Sequence, residues 1–106
     1  MTIHQIDSTT LKSWQENDEA ILIDVREVYE NQAERIAGAI LIPLGEIDID
    51  KLPILENKKL VIQCRSGKRS FMAAEHLLAQ NPGLTIYNLE TGIEGWKADG
   101  FKILTN

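Results

Sequence analysis

The loop formed by residues 64–70 holds the residue types with the clearest chemical potential. It consists of Cys64, Arg65, Ser66, Gly67, Lys68, Arg69 and Ser70. Three of the 11 cationic residues lie in this loop, although the chain is acidic overall with a net charge of −5. A glycine allows such a loop to curl so that successive backbone N–H groups point inward. We therefore expect the loop to form an anion-binding cradle that surrounds the Cys64 thiolate.

Cys64 is the candidate nucleophile of this loop. Helix N-termini and nearby cations lower the pKa of a cysteine to roughly 3.5–7.5, so Cys64 is predicted to be ionised and nucleophilic at neutral pH. A reactive sulfur must also be reachable from solvent. The alternative is that Cys64 is a small apolar residue buried at a strand end, and that the three cations form a solvated loop. The loop contains cations and no carboxylate, which favours the nucleophile.

Neither histidine is predicted to serve Cys64 as a base. His76 falls inside the predicted helix over 66–80, about 15 Å along the axis from the start of that helix. His4 is distant in sequence. Both are interpreted as surface or boundary residues, so a cysteine–histidine hydrolase is not expected.

Composition excludes several other classes of function. A net charge of −5 and a pI near 4.9 provide no basic field for nucleic acid. The single cysteine excludes an internal disulfide and a Cys-rich zinc site, and no metal or other cofactor is expected. The chain has no apolar run long enough to span a membrane and no signal-peptide pattern at its start. We therefore expect no membrane association and a cytoplasmic location.

The elements that must position the loop alternate between strands and helices. Strands are predicted over 3–6, 20–25, 38–43, 60–63 and 84–89, and helices over 7–17, 26–32, 66–80 and 92–99, with a loose helix over 45–55. The apolar runs are typical of strands covered on both faces, which indicates an α/β fold with a parallel sheet between helices. Ligands bind beyond the carboxyl ends of such strands, where Asp24, Arg26 and Cys64 are expected to lie.

Three segments of the sequence resemble the rhodanese-like sulfurtransferase family. Residues 23–27 followed by 38–43 are similar to its N-terminal signature, residues 64–70 to its active-site loop, and residues 92–96 to its C-terminal signature. The resemblance extends over nearly the whole chain and implies one rhodanese-like domain over residues 1–106. It also implies a mostly parallel sheet of about five strands with helices on both faces.

The resemblance implies a sulfur-transfer activity centred on Cys64. The cysteine would accept a sulfane sulfur from thiosulfate or a persulfide donor and pass it, as a Cys64 persulfide, to a thiol or to cyanide. Loop residues 65–70 would bind the substrate, and Asp24 and Arg26 would help to build the floor of the site. The alternative for Asp24 and Arg26 is a helix N-cap and an ordinary surface ion pair with Glu27 or Glu30. Trp96 is expected to pack in the core.

Three other functions remain open. A cysteine phosphatase of related fold has five residues between its cysteine and an arginine. Here only four separate Cys64 from Arg69 and position 70 is serine, which makes a smaller cradle. The second alternative is a docking module without activity. The third is a persulfide carrier that exchanges sulfur with protein partners. The expected partners are a small anionic sulfur donor and a thiol acceptor, with a protein donor or acceptor as a further possibility.

Overall fold

The computed structural model describes residues 3–106. The strands are β1 (Ile3–Ile6), β2 (Ala20–Asp24), β3 (Glu34–Arg35), β4 (Ile40–Leu41), β5 (Lys59–Gln63), β6 (Ile86–Leu89) and β7 (Leu104–Thr105). The α-helices are α1 (Ser8–Glu16), α2 (Val28–Ala33), α3 (Lys68–Gln80) and α4 (Gly92–Ala98), with 3₁₀ turns at Leu44–Glu46 and Ile49–Lys51.

Five of these strands form one parallel sheet in the order β1-β6-β5-β2-β4. This confirms the predicted α/β fold and the predicted number of strands. Strand β5 lies in the middle, between β6 and β2, so the residue that follows it emerges at the centre of the carboxyl edge of the sheet. A separate antiparallel ribbon joins β3 to β7, and the sequence did not predict it.

Alternating residues of β5 pack against two different hydrophobic layers. Leu60 and Ile62 belong to the cluster that contains Ala73 and Leu77 of α3. Val61 belongs to the opposite cluster, which contains residues of α1 and α4. Side chains alternate between the faces of a strand, so helices on both faces follow from an apolar run without polar interruptions. In the second layer Trp96 is 3% exposed, which confirms its predicted role in the core.

Several predicted boundaries were wrong. Helix α3 begins at Lys68 rather than residue 66, because Gly67 adopts a left-handed conformation with φ +99°. The predicted strand over 38–43 is reduced to Ile40–Leu41 at the sheet edge, where Ile40 is exposed. The loose helix over 45–55 is replaced by the two 3₁₀ turns. No helix within residues 3–106 is long and apolar enough to cross a membrane.

Candidate active site

Cys64 follows the last residue of β5 and lies at the carboxyl edge of the sheet, as predicted. The thiol sulfur Sγ accepts a hydrogen bond from the Gly67 N–H at 3.1 Å. The Ser70 hydroxyl lies 3.4 Å from the same sulfur, at the start of α3 and fully buried. The loop therefore folds back over its own cysteine and directs hydrogen-bond donors at the sulfur.

These donors control the protonation of Cys64. Burial raises the pKa of the thiol, but the Ser70 hydroxyl and the N–H groups of Ser70, Ser66 and Gly67 outweigh that effect and lower the pKa below its ordinary value. Hydrogen bonds to the charged form favour ionisation. The interpretation as a plain apolar residue accounts for the position of Cys64 next to the core, but it does not account for donors converging on its sulfur.

The sulfur is less accessible than the sequence led us to expect. Cys64 is only 1% exposed and belongs to the larger hydrophobic cluster. The expectation of a sulfur open to solvent is wrong for this structure, because the inward-curled loop covers it. The neighbours Arg65 and Ser66 are exposed, so the sulfur lies just beneath the surface of the loop.

Gly67 is required by the space available as well as by its backbone angle. A Cβ atom at this position would collide with the carbonyl oxygen of Glu90, which follows β6. Asn88 on β6 donates a hydrogen bond to the Gly67 carbonyl at 3.2 Å. Strand β6 therefore holds the turn that presents the Gly67 N–H to the sulfur.

Helix α4 fixes the other side of the loop. The Ile93 N–H donates to the Cys64 carbonyl at 2.9 Å, and the Glu94 N–H donates to the Arg65 carbonyl at 3.1 Å. The C=O and N–H of a trans peptide point in opposite directions. Binding the Arg65 carbonyl to α4 therefore turns the Ser66 N–H toward the sulfur. The sequence predicts a helix over 92–99, and the resemblance gives residues 92–96 as a family signature, but neither predicts this contact with the loop.

Gly92 makes the close approach of α4 possible. Its φ is +62°, and a Cβ atom would collide with the carbonyl groups of Cys64 and Arg65. A conformation of this kind carries little cost only for glycine. The signal available in the sequence was Gly92 as a residue of the predicted helix over 92–99, because glycine is a poor helix former.

Two of the three loop cations are neutralised by carboxylates from distant parts of the chain. Arg69 forms a bidentate ion pair with Glu30, at 2.7 and 2.9 Å. Arg65 pairs with Glu94 at 3.0 Å. Lys68 makes no ion pair with any of residues 3–106. The loop therefore carries less net positive charge than its own residues suggest, because carboxylates from outside the loop reach into it.

The Arg69–Glu30 pair perturbs the titration of both partners. The hydrogen bond from Arg69 lowers the pKa of Glu30 to about 2. The Glu30 carboxylate raises the pKa of Arg69, and the nearby charge of Cys64 acts in the same direction. Glu30 also accepts a hydrogen bond from the Glu27 N–H at 2.9 Å, so one carboxylate connects α2 to the start of α3.

Asp24 and Arg26 form a buried pair under the site. The two side chains are fully buried and 3% exposed, respectively, and Arg26 donates to the Asp24 carboxylate at 2.8 Å. The alternative of a surface ion pair is therefore wrong. The Gln63 amide connects this pair to Cys64, because its nitrogen lies 3.4 Å from an Asp24 carboxylate oxygen and 2.9 Å from the Cys64 carbonyl oxygen.

Two surface grooves adjoin the loop. The charged groove, about 330 Å³ in volume, is lined by Arg26, Glu30, Glu34, Arg65, Glu94 and Lys97 together with Tyr29, Ala33 and Ile93. The apolar groove, about 470 Å³, is lined by Phe71 and Met72 together with Gln5, Ser66, Gly67, Lys68, Asn88 and Glu90. Loop residues line both grooves, Arg65 in the first and Ser66, Gly67 and Lys68 in the second, whereas Cys64 lines neither.

The structure brings neither a histidine nor a metal cluster to Cys64. His4 stacks on Tyr87 with a ring separation of 5.3 Å, and His76 is exposed on α3. Within residues 3–106 there is no group of histidine, cysteine and carboxylate side chains that could hold a metal ion.

Comparison with known proteins relates this arrangement to sulfur chemistry. A family profile described as "Rhodanese-like domain" matches residues 7–99. A protein named "Sulfurtransferase" from Allochromatium vinosum is 32% identical over 96% of this chain and 95% of its own length. The "Putative sulfur carrier protein YrkF" of Bacillus subtilis is 34% identical over 90% of this chain and 51% of its own. These relatives support a sulfur-transfer role.

Relatives of greater length and a solved structure complete the comparison. An uncharacterized protein of Synechocystis is 37% identical over 86% of this chain and 50% of its own length. This chain thus spans about half the length of two of these three relatives. The crystal structure of a rhodanese-related protein from Thermoplasma volcanium superposes with a TM-score of 0.82 and 31% identity, covering 97% of this chain and 99% of that one.

Proposed function

Since the chain belongs to the rhodanese-like domain family, we propose that it is a sulfurtransferase whose Cys64 carries the transferred sulfur as a persulfide. The observation that carries this proposal is the convergence of the Gly67 N–H and the Ser70 hydroxyl on a cysteine sulfur of lowered pKa. A thiolate is the form of cysteine that attacks sulfur.

The proposed reaction has two steps. The Cys64 thiolate attacks the outer sulfur of thiosulfate, the sulfur–sulfur bond of the donor breaks, and sulfite leaves with the bonding electron pair. The negative charge then lies on the outer sulfur of the Cys64 persulfide, where N–H groups of the loop stabilise it. A thiol acceptor, or cyanide in an assay, attacks that outer sulfur and the Cys64 thiolate is released. No cofactor takes part, and we propose a reducing, cytoplasmic setting.

Because Cys64 is buried, the first step is restricted to donors whose reacting sulfur is terminal and sterically unhindered. The donor sulfur enters past the exposed residues Arg65 and Ser66. Lys68, which makes no ion pair with residues 3–106, is exposed beside Ser66 and attracts an anionic donor. The loop closes around one sulfur atom, so its cradle is smaller than the one that a phosphate group with its oxygens needs. This difference in size argues against a phosphatase.

A persulfide carrier is the second candidate, because one relative is named a putative sulfur carrier. In a carrier, Cys64 would receive sulfur from a protein persulfide much faster than from thiosulfate. Comparing the rates of loading from the two kinds of donor distinguishes an enzyme that uses small donors from a carrier. An inactive docking module would load from neither.

Mass spectrometry of the intact protein tests the proposal. Incubation with thiosulfate or cysteine persulfide should add the mass of one sulfur atom, and cyanide should remove it as thiocyanate. Cys64→Ser should abolish the gain, and it leaves the chain without a thiol since Cys64 is the single cysteine. Phosphatase activity toward an aryl phosphate, measured in parallel, should be absent. No mass gain from any sulfane donor would reject the sulfurtransferase.

A further inference from the structure

The ion pairs beside the active-site loop leave the charged groove without net charge. Three cations and three carboxylates line it. Lys97 pairs with Glu34 at 2.8 Å, and Arg65 pairs with Glu94 at 3.0 Å. An anion that enters through this groove therefore meets cations whose fields are largely cancelled at short range.

The apolar groove offers no compensating positive field. Its charged residues are one cation, Lys68, and one carboxylate, Glu90. Both grooves that adjoin the loop thus have a net formal charge of zero. A doubly charged donor gains little attraction from either groove. Its desolvation at a buried sulfur nevertheless costs more than that of a singly charged donor, because the cost rises with the square of the charge.

Glu94 is the carboxylate best placed to control this balance. Its side chain is 53% exposed, and its partner Arg65 directly follows the nucleophile. The backbone of Glu94 supports the loop through its N–H, whereas its carboxylate contacts the Arg65 guanidinium at the entrance. The carboxylate can therefore be neutralised without removing the backbone contact.

We infer that Glu94 is a specificity-determining residue, whose charge makes the site favour singly charged sulfane-sulfur donors over dianionic thiosulfate. The inference rests on the proposed sulfurtransferase function. The transfer itself is the same for both donors: the thiolate bonds to the terminal sulfur, the donor sulfur–sulfur bond breaks, and the leaving group keeps the electron pair. Only the charge that the donor brings to the entrance differs.

Two small donors that differ in their charge can test this inference. Thiosulfate is a dianion that releases sulfite, and methanethiosulfonate is a monoanion that releases methanesulfinate. For an exposed carboxylate about 8 Å from the donor and an effective dielectric constant of about 60, Coulomb's law gives about a threefold change in rate per unit of donor charge. The effect on the dianion is therefore the square of the effect on the monoanion.

The experiment compares the second-order rate of Cys64 persulfide formation in wild type and Glu94→Gln at low ionic strength. The variant should load about tenfold faster from thiosulfate and about threefold faster from methanethiosulfonate. Added salt should reduce both gains, because it screens exposed charges. A purely structural effect on the loop would change the two donors by the same factor.

Glu16→Gln is the matched control. It removes the same charge and also breaks an exposed ion pair, with Lys12. Glu16 is the last residue of α1, just before the amino end of β2 at Ala20, whereas Cys64 lies at the carboxyl edge of the sheet. Glu16→Gln should change neither rate. Equal gains for both donors, or no gain in Glu94→Gln, would refute the role of Glu94 while the loading of Cys64 would still support the proposed function. A failure of both donors to load any variant would reject the proposed function and this inference together.

Discussion

Replacing Gly92 by alanine should damage the active-site loop through a steric collision. The added Cβ would be forced against the carbonyl groups of Cys64 and Arg65, and the residue would also have to adopt a φ of +62°. A positive φ costs an alanine about 1 kcal/mol relative to glycine, and overpacking against rigid atoms adds about 1–3 kcal/mol. We therefore expect the free energy of unfolding to fall by about 2–4 kcal/mol.

Gly100→Ala separates the two contributions. Gly100 has a φ of +81°, but no atom lies within 4 Å of the position of its Cβ. This variant should therefore lose only the conformational part, about 1 kcal/mol. Urea unfolding of wild type and both variants measures the difference. Equal losses for Gly92→Ala and Gly100→Ala would refute the collision.

The same pair of variants should differ in the chemistry of Cys64. Displacing α4 frees the Arg65 carbonyl, and the Ser66 N–H then no longer has to face the sulfur. We expect the pKa of Cys64 to rise in Gly92→Ala and to stay at the wild-type value in Gly100→Ala. The pH dependence of alkylation by iodoacetamide reports this pKa. An unchanged profile in Gly92→Ala would show that α4 does not orient the loop.

Two further perturbations act on the donors and charges around the sulfur. Ser70→Ala removes the hydroxyl and should raise the pKa of Cys64, so alkylation should begin at higher pH. Ser13→Ala, at an exposed position of α1, is the control. An identical pH profile of alkylation in both variants would refute the role of Ser70. Glu30→Gln should lower the free energy of unfolding by about 1–2 kcal/mol near pH 7. The pKa of Glu30 is lowered from 4.5 to about 2, and solvent screens part of the corresponding stabilisation. The lowered pKa makes this stabilisation complete above about pH 5 and removes it as the pH falls toward 2, so the stabilities of wild type and Glu30→Gln should converge in acid. A difference that persists unchanged at pH 2 would contradict the ion-pair account.

The sequence predicted the parts of the fold that depend on local patterns. Apolar runs located the central strands, and the carboxyl end of β5 was the predicted place for Cys64. The start of α3 was misplaced by two residues, because the left-handed turn at Gly67 depends on contact with β6. The β3–β7 ribbon was missed because it pairs Glu34 with Thr105, two residues far apart in the chain with no strong strand pattern.

The charge distribution around the loop was harder to predict than its position. The loop itself contains no carboxylate, so its residues gave no sign of ion-pair partners for Arg65 and Arg69. Their partners, Glu94 and Glu30, come from α4 and α2, and only the tertiary fold brings them close. The burial of Asp24 and Arg26 was likewise not decided by the sequence, since an Asp-x-Arg pair forms equally well on a surface.

The loop draws its support from segments that are widely separated along the chain. Strand β6 fixes Gly67, helix α4 fixes Arg65, and helix α2 holds Arg69. A short peptide with the sequence of residues 64–70 would have none of these contacts, and its thiol would behave like that of free cysteine. Reactivity at neutral pH should thus develop only when the whole chain has folded. Newly made or damaged copies of the protein would then lack the reactive thiolate.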